Sequence, residues 1–292
     1  PNAWDAWDIE PFTIAAEPHV ITGVDSIDLG QHDDLRASIL VVRTFGDSSI
    51  VQEYVLAAGS ARLGIVTTVD WHEDERLLKA AFPLDVRADD AAYDTQYGHV
   101  RRPTHRNTSW DWARFEVCGH QWADVSEPDF GVAVLNDGKY GHDCLGGPRS
   151  TTMRLSLLRA PNYPDPDADR GRHTFTYSLL PHGPGLVEVM AAAWALNLPP
   201  RVVTGSPCES LVRIDHLGVV VTAVKPADDG SGDLVVRYHE TLGARARFTV
   251  STATHGGVPV PCDLLEIPIA GSPGHGRELR PFQIETLRIP RI

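Results

Sequence analysis

Twenty-five glycines and 22 prolines run through these 292 residues, spaced rather than clustered. They cut the chain into short apolar runs bounded by turn residues. That spacing leaves little room for long helices and is the punctuation of an antiparallel β protein. Strands are expected at 38–44, 50–57, 62–69, 110–117, 131–135, 152–159 and 173–180, where β-branched and aromatic residues suit a pleated, half-buried surface. Along 152–159, Arg154, Ser156 and Leu158 alternate with Leu155, Leu157 and Arg159, which gives the strand two distinct faces.

One segment departs from this pattern. Residues 186–196 (LVEVMAAAWAL) lack turn residues and lie between Pro184-Gly185 and Pro199-Pro200, so a single short helix is expected there. Residues 73–81 (EDERLLKAA) also admit a helix, although they follow directly on an apolar strand. After the proline pair, strands recur at 211–224, 234–240, 245–252, 263–269 and 282–289, separated by the loop signals DDGSGD and GSPG. The expectation is an all-β chain: a large sandwich over 1–204, then a smaller sandwich over 205–292.

The net charge of −13 opposes a nucleic-acid partner, which requires a basic surface. No run approaches the ~20 apolar residues needed to span a bilayer. The opening Pro1-Asn2-Ala3-Trp4 has no Met, basic region or apolar run, so a fragment or processed chain is expected. Cys118, Cys144, Cys208 and Cys262 are widely spaced and form no CxxC pair; the expectation is a reducing cytoplasm without a disulfide framework.

Three polar and aromatic loops are candidates for chemistry. In WDAWDIE (4–10), Trp4 and Trp7 could stack on a pyranose while Asp8 bonds its hydroxyls, or both indoles could serve the core. In YGHVRRPTHRNTSWDW (97–112), His99 and His105 are candidate bases, but no His spacing supports a metal. In LNDGKYGHDCLGG (135–147), Asp137, Lys139 and Tyr140 follow an apolar strand in a glycine-rich turn, as either a ligand-binding strand end or an ordinary hairpin would. No nucleophile elbow, phosphate loop, dinucleotide fingerprint or HExxH motif is present.

Several segments resemble one family. They are WDAWDIE, VDWHEDERLLKAAFPLDV (69–86), YGHVRRPTHRNTSWDWARFEV (97–117), the run from FGVAVLNDGKYG to FTYSLLPHG (130–183) and VVVTAVKPADDGSGDLVVRYHETLG (219–243). In this order they resemble the C-terminal region of glycoside hydrolase family 38, the class II α-mannosidases of bacterial and cytosolic type. The resemblance implies a mutarotase-like supersandwich followed by a small β-sandwich. It also implies retaining hydrolysis of α-mannosides through an Asp nucleophile and a zinc ion. Nucleophile, acid and zinc ligands belong to the family's N-terminal catalytic and helical domains. No catalytic residue and no metal ligand is therefore expected in this chain, which alone would be inactive. Its implied role is to support those domains and wall the substrate cleft, contacting an α-mannoside or oligosaccharide.

Arg159 leads the candidates for that wall, because its planar fork can bond two hydroxyls; otherwise it would pair with Asp165 or Asp169. Asp137, Lys139 and Tyr140 follow, then Trp4, Trp7 and Asp8 at the start of the chain. Two other readings remain open. One is a stand-alone carbohydrate-binding module. The other is a mutarotase-like epimerase using His72 with Glu73 or His105 with Asp111. The family reading further implies an exposed apolar sandwich face where the missing domains dock, with homo-oligomerisation left open.

Overall fold

The computed structural model describes residues 5–206, 209–271 and 273–291. The chain divides into two compact units, Pro1–Asp94 with Val100–Pro200, and Thr95–His99 with Arg201–Ile292.

The first unit opens with a short helix, α1 (Pro11–Ala15), and an antiparallel meander of β1 (Ser26–His32), β2 (Arg36–Phe45), β3 (Ser48–Ala57) and β4 (Leu63–Trp71). Then come β5 (Leu78–Leu84), β6 (Asp90–Thr95), β7 (Gly98–Pro103), α2 (Ser109–Trp112), β8 (Val117–Cys118) and β9 (Trp122–Ser126). The unit ends with β10 (Gly131–Asn136), β11 (Gly141–Gly146), β12 (Thr151–Leu158), β13 (Gly171–His182) and α3 (Val187–Asn197). Among the described residues these strands build a nine-stranded sheet, β1-β2-β3-β4-β13-β10-β9-β6-β7, and a four-stranded sheet, β5-β12-β11-β8.

The two sheets share one core. Val69, Trp71, Val125, Val134 and Tyr177 of the large sheet join Met153, Leu155 and Leu157 of the small one. Burying each such side chain contributes about 1.5–3 kcal/mol. On β12 the inward Met153, Leu155 and Leu157 alternate with the less buried Arg154 and Ser156, as the sequence pattern requires. All six residues of β10 are buried: Val132 and Val134 enter the core, while α3 packs on the same strand.

Beside α3 lies a buried ion pair. His182 Nε2 is 2.7 Å from Asp124 Oδ1, with the side chains 0% and 1% exposed. His182 Nδ1 lies 2.7 Å from the Gly183 carbonyl, so both ring nitrogens face acceptors and the imidazolium donates twice. Ser126 Oγ donates to the other Asp124 oxygen at 2.8 Å. Only glycine fits at 131, since a Cβ there would meet Ser126 Oγ at 2.2 Å and His182 Cε1 at 2.6 Å.

The large sheet is wider than its partner. Through the register Leu29–Ile39–Tyr54–Ile65, the core-facing side of the sheet continues outward to β1. There Ile27 and Leu29 are 66% and 72% exposed, and Ile39 and Leu56 47% each. These side chains leave an apolar stretch of the sheet uncovered.

The second unit contains β14 (Val212–Ile214), β15 (Val219–Pro226), β16 (Leu234–Glu240), β17 (Ala246–Thr252), β18 (Val260–Cys262), β19 (Gly276–Leu279) and β20 (Ile284–Ile289). They form the sheets β14-β17-β19 and β15-β16-β20-β18 around Val236, Tyr238, Val250, Leu279 and Leu287. The fully buried Glu240 carboxylate accepts from the amides of Leu242, Gly243 and Phe282, which fixes the turn after β16.

Four expectations need correction. The strand at 110–117 is instead mostly α2 and a turn. Asp111 accepts from the Thr108 amide and hydroxyl while Thr108 Oγ1 accepts from the Asp111 amide, and this capping box overrides the strand preference of the tryptophans. The strand at 263–269 is a loop, because Asp263 Oδ1 accepts from the amides of Leu265 and Ile267. The alternative helix at 73–81 gives way to β5, whose backbone is taken up by pairing with β12. The single strand at 211–224 is two, β14 and β15.

Burial works against charge on His182, but the hydrogen bond and charge of Asp124, with the Gly183 carbonyl, outweigh it and raise its pKa above the usual histidine value. The stability it adds is complete below about pH 6.5 and disappears as pH rises through the raised folded value. Urea midpoints should therefore decline as pH rises above about 6.5. His182→Ala should flatten that decline and cost about 3–5 kcal/mol at pH 6, by stranding a buried carboxylate.

Candidate functional site

At one end of the first unit, three segments meet: the turn after β10, the loop 159–170 between β12 and β13, and the chain at 5–9. The turn is built by Asn136, which is fully buried. Its Oδ1 accepts from the amides of Gly138 at 2.9 Å and Lys139 at 2.7 Å, and its Nδ2 donates to the His120 carbonyl. Gly138 adopts φ +139°, a conformation closed to other residues. Asn197 of α3 donates to the Asn136 carbonyl, tying the helix to the turn.

This turn places the residues expected from the sequence. Asp137 Oδ2 accepts from the Thr176 amide at 2.8 Å, so it extends the pairing of β10 with β13. Lys139 Nζ lies 4.4 Å from the centre of the Phe175 ring. Burial lowers the pKa of its ammonium, against the charges of Asp169 and Asp137. Tyr140 is exposed and packs against His120, with ring centres 5.2 Å apart.

Arg159 leaves β12 just beyond an irregularity in its pairing with β5, between Ser156 and Leu158. Such irregularities re-aim the side chains that follow. Asp169 Oδ2 accepts from the amides of both Arg159 and Ala160, at 3.0 Å each. Asp169 thus holds the backbone of Arg159 rather than its guanidinium. Arg159 makes no ion pair among the described residues, and its buried Nε has no acceptor. Ala160 and Asp169 both adopt positive φ, 47° and 59°, as does Glu75 (52°), whose amide donates to the Ala160 carbonyl. Three non-glycine residues in this region at one loop junction mark a backbone held by its surroundings. Arg170 pairs with Asp74 and secures the same junction.

The loop is fixed at its other end by Asp5, which is 2% exposed and accepts from the amides of Asn162 and Tyr163. Trp7 stands 6.2 Å from the Tyr163 ring and is largely exposed. Asp8 is exposed, and its carboxylate accepts from the Ile9 amide. Trp4 lies outside the described residues, as does Cys208.

The structure therefore brings the backbone of Arg159 and the charge of Lys139 to Asp169, with Asp137 near Lys139 and Trp7 at the Tyr163 end of the loop. Tyr140 and Asp8 are turned to local contacts instead. Sequence reasoning missed the roles of Asn136, Asp5 and Asp169. The Asn-Asp-Gly run signals Asn136, since asparagine folds back on the next amides in such turns. Nothing local signals that Asp5 binds amides more than 150 residues away.

The other pairs considered from the sequence do not form a centre here. His72 contacts Asp70 at 2.9 Å, while Glu73 caps the amide of Asp47 and the hydroxyl of Ser48. His105 Nδ1 lies 3.5 Å from Asp111 Oδ2, but that carboxylate is committed to Thr108. His99 Nδ1 lies 3.2 Å from the Thr241 carbonyl. Among the described residues, no group of three or more His, Cys, Asp or Glu is arranged to hold a metal ion, and no helix is long and apolar enough to cross a membrane.

The fold defines an all-β chain of two sandwich units, each with its own core. The family model described as glycosyl hydrolases family 38 C-terminal domain matches residues 1–167, and that described as glycosyl hydrolases family 38 C-terminal beta sandwich domain matches 218–287. Human alpha-mannosidase 2C1 is 40% identical over 92% of this chain, and alpha-mannosidase G of Dictyostelium discoideum 36% over 98%. The chain covers 26% and 28% of those relatives, about a quarter of their length. An alpha-mannosidase from Enterococcus faecalis superposes with a TM-score of 0.79 at 18% identity, over 92% of this chain and 35% of its own. The chain belongs to glycosyl hydrolase family 38 and corresponds to that family's C-terminal domains.

Asp169→Ala should orphan two amides and destabilise the chain by about 2 kcal/mol or more in urea unfolding. Asp169→Asn should cost less, because one amide oxygen can still accept and asparagine tolerates positive φ.

Proposed function

We propose that this chain is the C-terminal, non-catalytic part of a retaining, zinc-dependent α-mannosidase, with the nucleophile and acid carried outside it. Its large and small sandwiches are assigned to 1–204 and 205–292. The end built from 5–9, 136–140 and 159–170 walls the substrate cleft. The support from relatives is that those named α-mannosidases are about four times as long as this chain.

The observation that carries the cleft-wall reading is Arg159. Its side chain is half-buried and its guanidinium makes no ion pair among the described residues, which leaves donors for sugar hydroxyls. Lys139, held over Phe175 and free of any ion pair among the described residues, is a second donor at this end. Trp7 offers an exposed indole face for a pyranose ring. These groups bind and orient. Zinc, when bound to the whole enzyme, would act as a Lewis acid toward the sugar. The side chains described here do not fit as its ligands, so no step runs through it in this chain.

The partner in this reading is the rest of the same polypeptide, the catalytic and helical domains. They would cover the apolar face carrying Ile27, Leu29, Ile39 and Leu56. The free thiols of Cys118, Cys144 and Cys262 accord with a cytoplasmic setting.

The test is hydrolysis of an aryl α-mannoside, with zinc or cobalt supplied, by this chain and by its full-length parent. Activity is expected only in the parent, where Arg159→Ala should lower kcat/KM by about ten- to a hundredfold, the effect of one lost hydrogen bond from a charged donor. Metal-dependent turnover by the 292 residues alone would overturn the reading. Affinity of this chain for free mannose, with no effect of Arg159→Ala in the parent, would point to a carbohydrate-binding module instead.

A further inference from the structure

A separate pocket in the first unit is lined by Tyr93 of β6, Arg102 of β7, His105, Arg106 and Arg114 around α2, and Asp143 of β11. We propose that it binds a small oxyanion, the phosphate or carboxylate group of a ligand distinct from a neutral sugar.

The case begins with charge. In a chain of net −13, three guanidinium groups converge on one concavity. None of Arg102, Arg106 and Arg114 forms an ion pair with a carboxylate among the described residues. Two are held in place without being neutralised. Arg102 donates to the Cys118 carbonyl at 3.1 Å and lies 5.1 Å over the Tyr93 ring. Arg106 donates to the Phe115 carbonyl at 3.4 Å and lies 5.8 Å over the Trp112 ring. Each guanidinium carries five N–H donors, so most of this capacity stays unused.

The acids nearby are already engaged. Asp143 Oδ1 accepts from Arg154 Nε at 2.6 Å, and Oδ2 pairs with Lys79 Nζ at 2.8 Å. Lys79 also pairs with Glu116 at 2.7 Å. Asp111, which also lines the pocket, accepts from Thr108 and faces His105 at 3.5 Å, so one carboxylate stands against three guanidinium groups. The engaged layer is balanced, Lys79 and Arg154 against Asp143 and Glu116, so it leaves the three arginines uncompensated. Like charges brought together in a partly desolvated pocket repel, and a bound oxyanion removes that repulsion. The planar forks of arginine match two oxygens of a phosphate or carboxylate, whereas a neutral hydroxyl leaves the charge uncompensated. His105, at the rim, adds a further donor.

The experiment is calorimetric titration of inorganic phosphate and, separately, glycerate, against chloride at equal ionic strength. It is run on the 292-residue chain and on its full-length parent. Saturable binding is expected in both proteins, weakened about tenfold or more by Arg106→Gln with Arg114→Gln. Because these two side chains make no ion pair and Arg106 gives up only one long hydrogen bond, to the Phe115 carbonyl, the ligand-free melting temperature should fall only slightly in the double variant. Binding of phosphate alone assigns a phosphate-bearing ligand, and equal or tighter binding of glycerate a carboxylate. The proposal is overturned if no saturable binding exceeds chloride in the parent, or if binding is indifferent to the two arginines.

Discussion

A sheet of nine strands cannot be covered by one of four. In the first unit the small sheet and the large one bury Val69, Trp71, Leu155 and Tyr177 between them, and α3 covers the far face of the large sheet at β10. Beyond this zone the core-facing side of the large sheet runs on through β2 to β1 with only solvent against Ile27 and Leu29. The hydrophobic effect stabilises the covered part, and the same physics leaves the uncovered part in need of another apolar surface. This mismatch in width makes a polypeptide partner part of the proposed function.

Several buried polar side chains are matched to partners that hold the fold. The His182–Asp124 pair keeps its charge because each acceptor and donor is matched. Asn136, Asp5, Asp169 and Glu240 spend their side chains on backbone amides of turns, which lack partners of their own. Two places bear on ligand binding. Arg159 Nε at the loop end and the three arginines near α2 hold donor capacity that the described residues do not absorb. Unused capacity of this kind, set in a fixed backbone, is the physical basis for assigning ligands to both places.

The two places ask for different chemistry. Around Arg159 and Lys139, the carboxylates of Asp137 and Asp169 stand close by and an indole is exposed, which suits a neutral polyol with hydroxyls to share. Around Arg102, Arg106 and Arg114, Asp143 and Glu116 are balanced by Lys79 and Arg154, and Asp111 alone faces three guanidinium groups, which leaves net positive charge and suits an anion.

By itself the sequence determined the class of fold, the single helix before Pro199 and most long strands, because hydrophobic alternation and Gly/Pro punctuation are local properties. It also pointed to family 38, and it indicated Asp137, Lys139 and Arg159 because their motifs are contiguous. It could not give β5, which resembles a helix until β12 supplies its hydrogen bonds, nor α2, where one Thr–Asp capping box outweighs two tryptophans. Nor could it give the partners of Arg159. Asp169 binds the arginine backbone and not its charge, Asp5 reaches residues 162 and 163, and the unpaired arginines meet at a pocket fed by three separate segments. Those are contacts between residues distant in the chain, and only the packed sheets bring them within hydrogen-bonding distance.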